Sequence, residues 1–480
     1  MSAYPHQKLQ SGMEFDGYRL EEKLHTGGMA ALWRVTDLRN RHSSTPGDDE
    51  GEQSPLIMKV PLLFSTDDPT AIVAFEVEQM IMPKLKGRHV PRYFGAGDFD
   101  AQPYIVMEQI AGTSLRSRFE DAPLPLAEVV DIGIRVAHAL QDLHKQHVIH
   151  LDIKPSNIMF RPDGTVVLID FGLSRHDRLP DLLDEEFRLP MGTGPYISPE
   201  QVMGVRNEPR SDLFSLGVLL YHLATGQRPF GHPTSVSGLK KRLYRDPLPP
   251  RSHRSEIPPW LQEIILRCLE VEPQARFDTA AQLAFLLQHP DQLQLTARAD
   301  KQGQDGYLSV LKRRFQAAGA EPALLQSAAG QLSRAPIIVA ALDLTGGSEA
   351  LAASLRNITR RMLQTEPGAR LACLTIRKVS RIGMDESLMQ QGENIHVKQL
   401  VDLKHWARPL NLNPDKITFH VLEASDPASA IIDYAHSNRV DHIIIGSRGS
   451  SALRRYLGSV SAQVVAEAEC TVTVVKAHEK

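Results

Sequence analysis

Cysteine is nearly missing from this 480-residue chain. Cys268, Cys373 and Cys470 stand singly, with neither the even count of a disulfide framework nor the paired spacing of a zinc site, so a reducing compartment is expected. Charge of one sign is also missing. Lys and Arg number 54 against 57 Asp and Glu, and a net charge of -3 implies no nucleic acid partner and no acidic tail. No stretch approaches the roughly 18 apolar residues of a membrane span, and the opening MSAYPHQKLQSGMEF has no basic and apolar signal segment. The expectation is a cytoplasmic protein without a membrane partner. What remains is globular in composition, 42% hydrophobic and 23% charged, and long enough for two or three domains.

Up to about residue 290, short alternating apolar runs (Tyr18 to Val35, Leu56 to Leu63, Tyr104 to Met107) give way to longer helical patterns around 127–146 and 212–225. The pattern predicts a small β-rich lobe followed by a helical one. Between the first two runs, residues 41–55 are polar and read as an exposed, mobile hairpin insertion. Residues 290–334 form a connector in which Leu308, Leu311 and Phe315 fall at helical spacing. From 335 onward, the runs at 337–342, 417–422, 442–445 and 471–475 alternate with helical stripes such as Leu351, Leu355, Ile358 and Met362, the pattern of a mostly parallel α/β sheet. The expected division is a tail at 1–14, a domain at 15–289, a partly helical linker at 290–334 and a second domain at 335–477.

Transfer of a phosphoryl group needs a cation on the nucleotide phosphates, oxygen ligands for Mg²⁺ and a carboxylate to orient the attacking hydroxyl. The chain supplies them in order. Lys59 of LIMKV can reach the phosphates, and Glu78 has the spacing to hold its ammonium. Asp152 of HLDIKPSN would accept the hydroxyl proton, and Asn157 and Asp170, the latter in Asp170-Phe171-Gly172, would ligate metal.

From about Tyr18 to Leu287 this set resembles a Hanks-type protein kinase of the bacterial, eukaryotic-like kind, which implies an α+β bilobal fold, ATP and Mg²⁺ (or Mn²⁺). The resemblance adds Met107 and Glu108 as gatekeeper and start of the adenine-binding hinge, Ser198-Pro199-Glu200 with Arg276 as the pair that closes the activation segment, and Asp212 as a buried helix aspartate. Lys154 and Thr193 imply a Ser/Thr acceptor on protein substrates. The glycine-rich loop departs from the family, with His25, Gly27 and Ala30 at the three glycine positions and Gly28 additional. His25 favours the alternative of a pseudokinase scaffold; Lys59, Asp152 and Asp170 oppose it. Leu151 replaces the arginine that would receive an activation-segment phosphate, and residues 175–192 contain no Ser or Thr. Ser43, Ser44 and Thr45 are the exposed candidates for autophosphorylation. The acidic run Asp181, Asp184, Glu185 and Glu186 reads as a solvated face, or else as a substitute for phosphate.

Residues 335 to about 477 resemble the universal stress protein family through IIIGSRGSSALRRYLGSVSAQVV. Gly446, Gly449, Gly458 and Ser459 follow an apolar strand and precede a helix, where backbone amides can cradle phosphates, and Asp343 ends the first strand. Arg454 and Arg455 lie between them. The resemblance implies a second ATP site and a homodimer through the last strand.

Overall fold

The computed structural model describes residues 9–39, 55–62, 69–187, 189–304, 306, 310–315, 335–344, 348–379, 394–447 and 458–476. Ser43, Ser44 and Thr45 with nearly all of the 41–55 insertion, Leu308, Gly449, Arg454 and Arg455 lie outside them.

The first lobe is a six-stranded antiparallel sheet in the order Glu14–Phe15, Tyr18–Thr26, Ala30–Asp37, Leu56–Pro61, Tyr104–Glu108, Tyr93–Gly97. Strand period places Leu56, Met58 and Val60 in one apolar cluster with Trp33 and Val106, which leaves Lys59 on the opposite face. Beside the sheet stands the helix Pro69–Ile81, which carries Glu78. The second lobe is helical. Val129, Ile132, Val136, Leu140 and Leu143 bury one stripe of the helix Leu126–His144, at the spacing a core-facing helix requires. The helix Arg210–Thr225 is buried almost all round and is the lobe's central element.

The connector is partly bound to this lobe. Gln262, on the helix Pro259–Cys268, donates its amide to the carbonyls of Arg298, Ala299 and Lys301, and Arg298 pairs with Glu263 and Glu270. Residues 310–315 are helical, Arg313 pairs with Asp246, and Phe315 is exposed.

The C-terminal domain is a five-stranded, wholly parallel sheet in the order Ile417–Ala424, Arg370–Lys378, Ile337–Leu342, His442–Ser447, Thr471–Lys476. The strand Ile337–Leu342 is buried along its whole length. From it the chain builds outward in one direction, then returns to its other side, so the order reverses between Ile337–Leu342 and His442–Ser447. Four strands match the apolar runs; Arg370–Lys378 is an addition that the runs did not announce. Among the described residues no helix is long and apolar enough to cross a membrane.

Candidate active site

Lys59, Glu78 and Asp170 meet. The Lys59 ammonium donates to Glu78 Oε2 at 2.5 Å and to Asp170 Oδ1 at 2.9 Å. Burial disfavours that cation, but the two carboxylates outweigh it and raise its pKa. The charge of Lys59 in turn pulls Asp170 down to about 2, so Asp170 is ionised throughout the physiological range. Asp170 has a left-handed backbone, φ 67°, which costs a non-glycine residue energy that the surroundings must supply. Next to it Phe171 is fully buried and packs on His150.

Asp152 is the second centre. Its Oδ1 accepts from the Thr193 hydroxyl at 2.7 Å and the Thr193 amide at 3.1 Å. Its Oδ2 accepts from Lys154 Nζ at 2.6 Å and Asn157 Nδ2 at 3.2 Å. An ionised carboxylate has about four lone-pair sites, and all are occupied. The loop that carries it is strained at Leu151, φ 61°, and is held from behind by Asp212. Asp212, fully buried, accepts from the amides of His150 and Leu151 at 2.9 Å each and from His144 at 2.8 Å. Burial opposes its ionisation, but His144 and these bonds lower its pKa nonetheless.

Asp170 and Asn157 carry the oxygen donors that a hard divalent cation takes; Asp170 Oδ1 accepts from Lys59, and Asn157 Nδ2 donates to Asp152. Among the described residues no group of three or more His, Cys, Asp or Glu could hold a metal. A cation here would therefore share its ligands with phosphate oxygens and water, the usual habit of Mg²⁺.

Gly27 and Gly28 turn the hairpin between Tyr18–Thr26 and Ala30–Asp37. Neither has positive φ, and a Cβ at Gly28 would meet nothing within 4 Å. The backbone here is one that other residues could also adopt. His25 is exposed, with its ring beside Gly27. Met107 is buried at the end of the strand Tyr104–Glu108, and Glu108 is clamped by Arg161, with the second contact at 3.0 Å.

The activation segment ends in a buried ion pair. Arg276 donates to Glu200 through both nitrogens, at 2.7 and 2.8 Å, and Ser211 adds a hydroxyl at 2.6 Å. The acidic run is not a solvated face: Asp181 pairs with Arg206, Glu185 with Arg370, and Glu186 with His420, and only Asp184 is exposed. Carboxylates so buried need cationic partners, and the C-terminal domain provides two of them.

In that domain Asp343 is exposed just past Ile337–Leu342, and Gly446 lies in the neighbouring parallel strand, so both sit at the carboxyl end where the strand order reverses. Gly446 also has a packing reason, because a Cβ there would come 3.0 Å from Leu351 Cδ2. Gly458 caps the helix Ser459–Glu467, and Ser459 is exposed at its first turn.

Residues 64–290 match the family model of the protein kinase domain, and residues 336–476 that of the universal stress protein family. A probable serine/threonine-protein kinase of Clostridium acetobutylicum is 30% identical over 268 residues, 55% of this chain and 38% of that protein. The serine/threonine-protein kinase PknB of Mycolicibacterium smegmatis is 30% identical over 275 residues, 56% of this chain and 42% of that protein. The chain thus spans about two fifths of the length of the curated relatives it matches. The crystal structure of the Mycobacterium tuberculosis PknI kinase domain is 24% identical, covers 58% of this chain and 99% of that one, and gives a TM-score of 0.44.

Proposed function

The chain carries a Hanks-type protein kinase domain followed by a universal stress protein domain, and on that footing we propose that it transfers the γ-phosphate of ATP to serine or threonine of protein substrates in the cytoplasm. The observation that carries this reading is Asp152, oriented by four donors in a domain that also assembles Lys59, Glu78 and Asp170. Lys59 holds the nucleotide phosphates, while Met107 and Glu108 border the adenine. Asp170 and Asn157 would hold Mg²⁺ or Mn²⁺, which would supply neutralising charge for the phosphates. Because every lone pair of Asp152 is taken, a substrate hydroxyl must displace a donor. Lys154 is that donor: it leaves Oδ2 for the γ-phosphate, and the vacated site receives the hydroxyl proton. Purified protein incubated with ATP and a generic Ser/Thr protein substrate tests the reading. Phosphate on serine or threonine is expected; a chain that binds ATP without transferring phosphate is instead a pseudokinase scaffold.

The C-terminal domain we read as a second nucleotide site and a homodimer contact. Asp343 and Gly446 lie at the carboxyl ends of neighbouring strands at the switch point of a parallel sheet, where such sheets bind ligands, and Gly458 and Ser459 open the helix that follows His442–Ser447. Calorimetry of the full chain with ATP is expected to resolve two classes of site, and Gly458→Val to abolish one of them. Valine is tolerable there, since a Cβ meets only Ser461 Oγ at 3.5 Å. A single class in wild type removes the second site. Among the described residues the strand Thr471–Lys476 pairs only with His442–Ser447, and its other edge suits a second copy. Light scattering of the full chain at micromolar concentration is expected to give the mass of a dimer, and a monomer mass removes this contact.

A further inference from the structure

The short helix Leu182–Glu186 lies inside the activation segment, yet its carboxylates are neutralised by another domain. Arg370 donates to Glu185 through both terminal nitrogens, at 2.7 and 3.2 Å, in the bidentate geometry that is strongest for this pair. The Tyr434 hydroxyl adds a bond to Glu185 at 3.2 Å, and the Asn438 amide caps the Glu185 carbonyl at 3.3 Å. His420, fully buried, stands between the two carboxylates, with Nε2 3.0 Å from Glu185 and Nδ1 2.8 Å from Glu186. A second contact reaches the helix Pro69–Ile81. Lys404 pairs with Glu76 at 3.0 Å, two residues before the Glu78 that holds Lys59. Its ammonium also lies over Phe99, 4.6 Å from the ring centre.

We propose that Arg370 and His420 are positioning residues of the kinase reaction: by seating Glu185 and Glu186 they hold the activation segment in its catalytic arrangement, as an arginine holds a phosphate in kinases switched by phosphorylation. The proposal rests on the kinase reading above. It accounts for two features of the segment together, the lack of Ser and Thr between 175 and 192 and the burial of its acids. The two carboxylates are not equivalent. Burial opposes both ionisations, but the hydrogen bond and charge of His420, with Arg370, pull Glu185 down to about 2, whereas burial, with Glu76 and Glu185 nearby, keeps Glu186 up at about 7 despite its bond to His420, so Glu185 is the charged anchor of the contact. Burial likewise opposes the imidazolium, and the bonds to Glu185 and Glu186 still push His420 up to about 9. Thr193 and Glu200 lie downstream in the same segment, so slack at Glu185 is transmitted to the donors that orient Asp152.

The test uses the full chain with Glu185→Gln, which keeps the shape and removes the charge, and Arg370→Ala, Arg370→Lys and the Glu185→Gln/Arg370→Ala pair. Each of the first two is expected to lower kcat by roughly 5- to 150-fold, the ordinary span of coupling between sites, with KM for ATP changed little. Arg370→Lys should recover part of the loss, and the double variant should be no worse than the poorer single one. Amides of residues 182–187 should exchange with deuterium faster in both single variants. Faster exchange with unchanged kcat makes the contact merely structural and overturns the proposal, and so does a rise in kcat, which would make the domain a restraint. An active wild type with unaltered variants removes only this proposal. A wild type that transfers no phosphate removes the kinase reading, and this proposal with it. Should Arg370→Ala fail to fold, the near-isosteric Glu185→Gln decides alone.

Discussion

Asp170→Asn is expected to lower phosphate transfer by at least about a hundredfold, the loss typical of removing one preorganised charge from a reacting phosphoryl group, while the fold survives. Asparagine has the shape of aspartate and tolerates the left-handed backbone that residue 170 adopts. What disappears is a carboxylate that Lys59 keeps ionised down to about pH 2, and with it the charged oxygen ligand proposed here for a divalent cation. Lys59 keeps its second partner, Glu78, so the helix Pro69–Ile81 should stay in place. Turnover compared at saturating ATP, with circular dichroism of both proteins, checks this. A folded variant with undiminished turnover would remove Asp170 from the reaction.

Arg276→Ala is expected to destabilise the kinase domain by about 3–5 kcal/mol, the cost of stranding one member of a buried ion pair. Arg276 is fully buried, and Glu200 nearly so. Alanine leaves the Glu200 carboxylate with the Ser211 hydroxyl as its remaining side-chain donor and frees the carbonyls of Arg210, Glu270 and Val271 that the guanidinium now serves. In a domain of this size that corresponds to a midpoint roughly 10 °C lower by scanning calorimetry. The Gly458→Val variant, in the other domain, is the control. An unchanged first transition in Arg276→Ala would mean that the pair carries little of the stability.

Much of the candidate phosphoryl-transfer site was legible because the chemistry dictates residue types: a cation, three carboxylates and an amide in a given order have few other uses. Lys59 and Glu78 are brought together by a strand and a helix, whereas Asp152 and Asn157 need only the five residues that separate them on one loop. The strand Arg370–Lys378 was less visible. Its buried centre, Leu371 to Leu374, includes Ala372 and Cys373, which weaken a β signal, and charged residues flank it. Between the two readings of the acidic run, a solvated face or a substitute for phosphate, the sequence could not decide, because the partner of Glu185 lies 185 residues away on that strand. Local composition says that four acids prefer water; only tertiary packing reveals that another domain brings the compensating charge. Gly446 shows the converse ambiguity, since a glycine suited to phosphate also makes room for Leu351.

The central claim is that Asp152 serves phosphate transfer to protein hydroxyls. Its most direct test incubates the purified full chain and its Asp152→Asn variant with γ-labelled ATP, Mg²⁺ and a Ser/Thr protein substrate, followed by identification of the labelled amino acid. The account predicts label on serine or threonine with the wild-type chain, and a rate about 10²–10⁴-fold lower with Asp152→Asn, the usual contribution of a positioned general base. Equal labelling by the two proteins, or none by either, would contradict it.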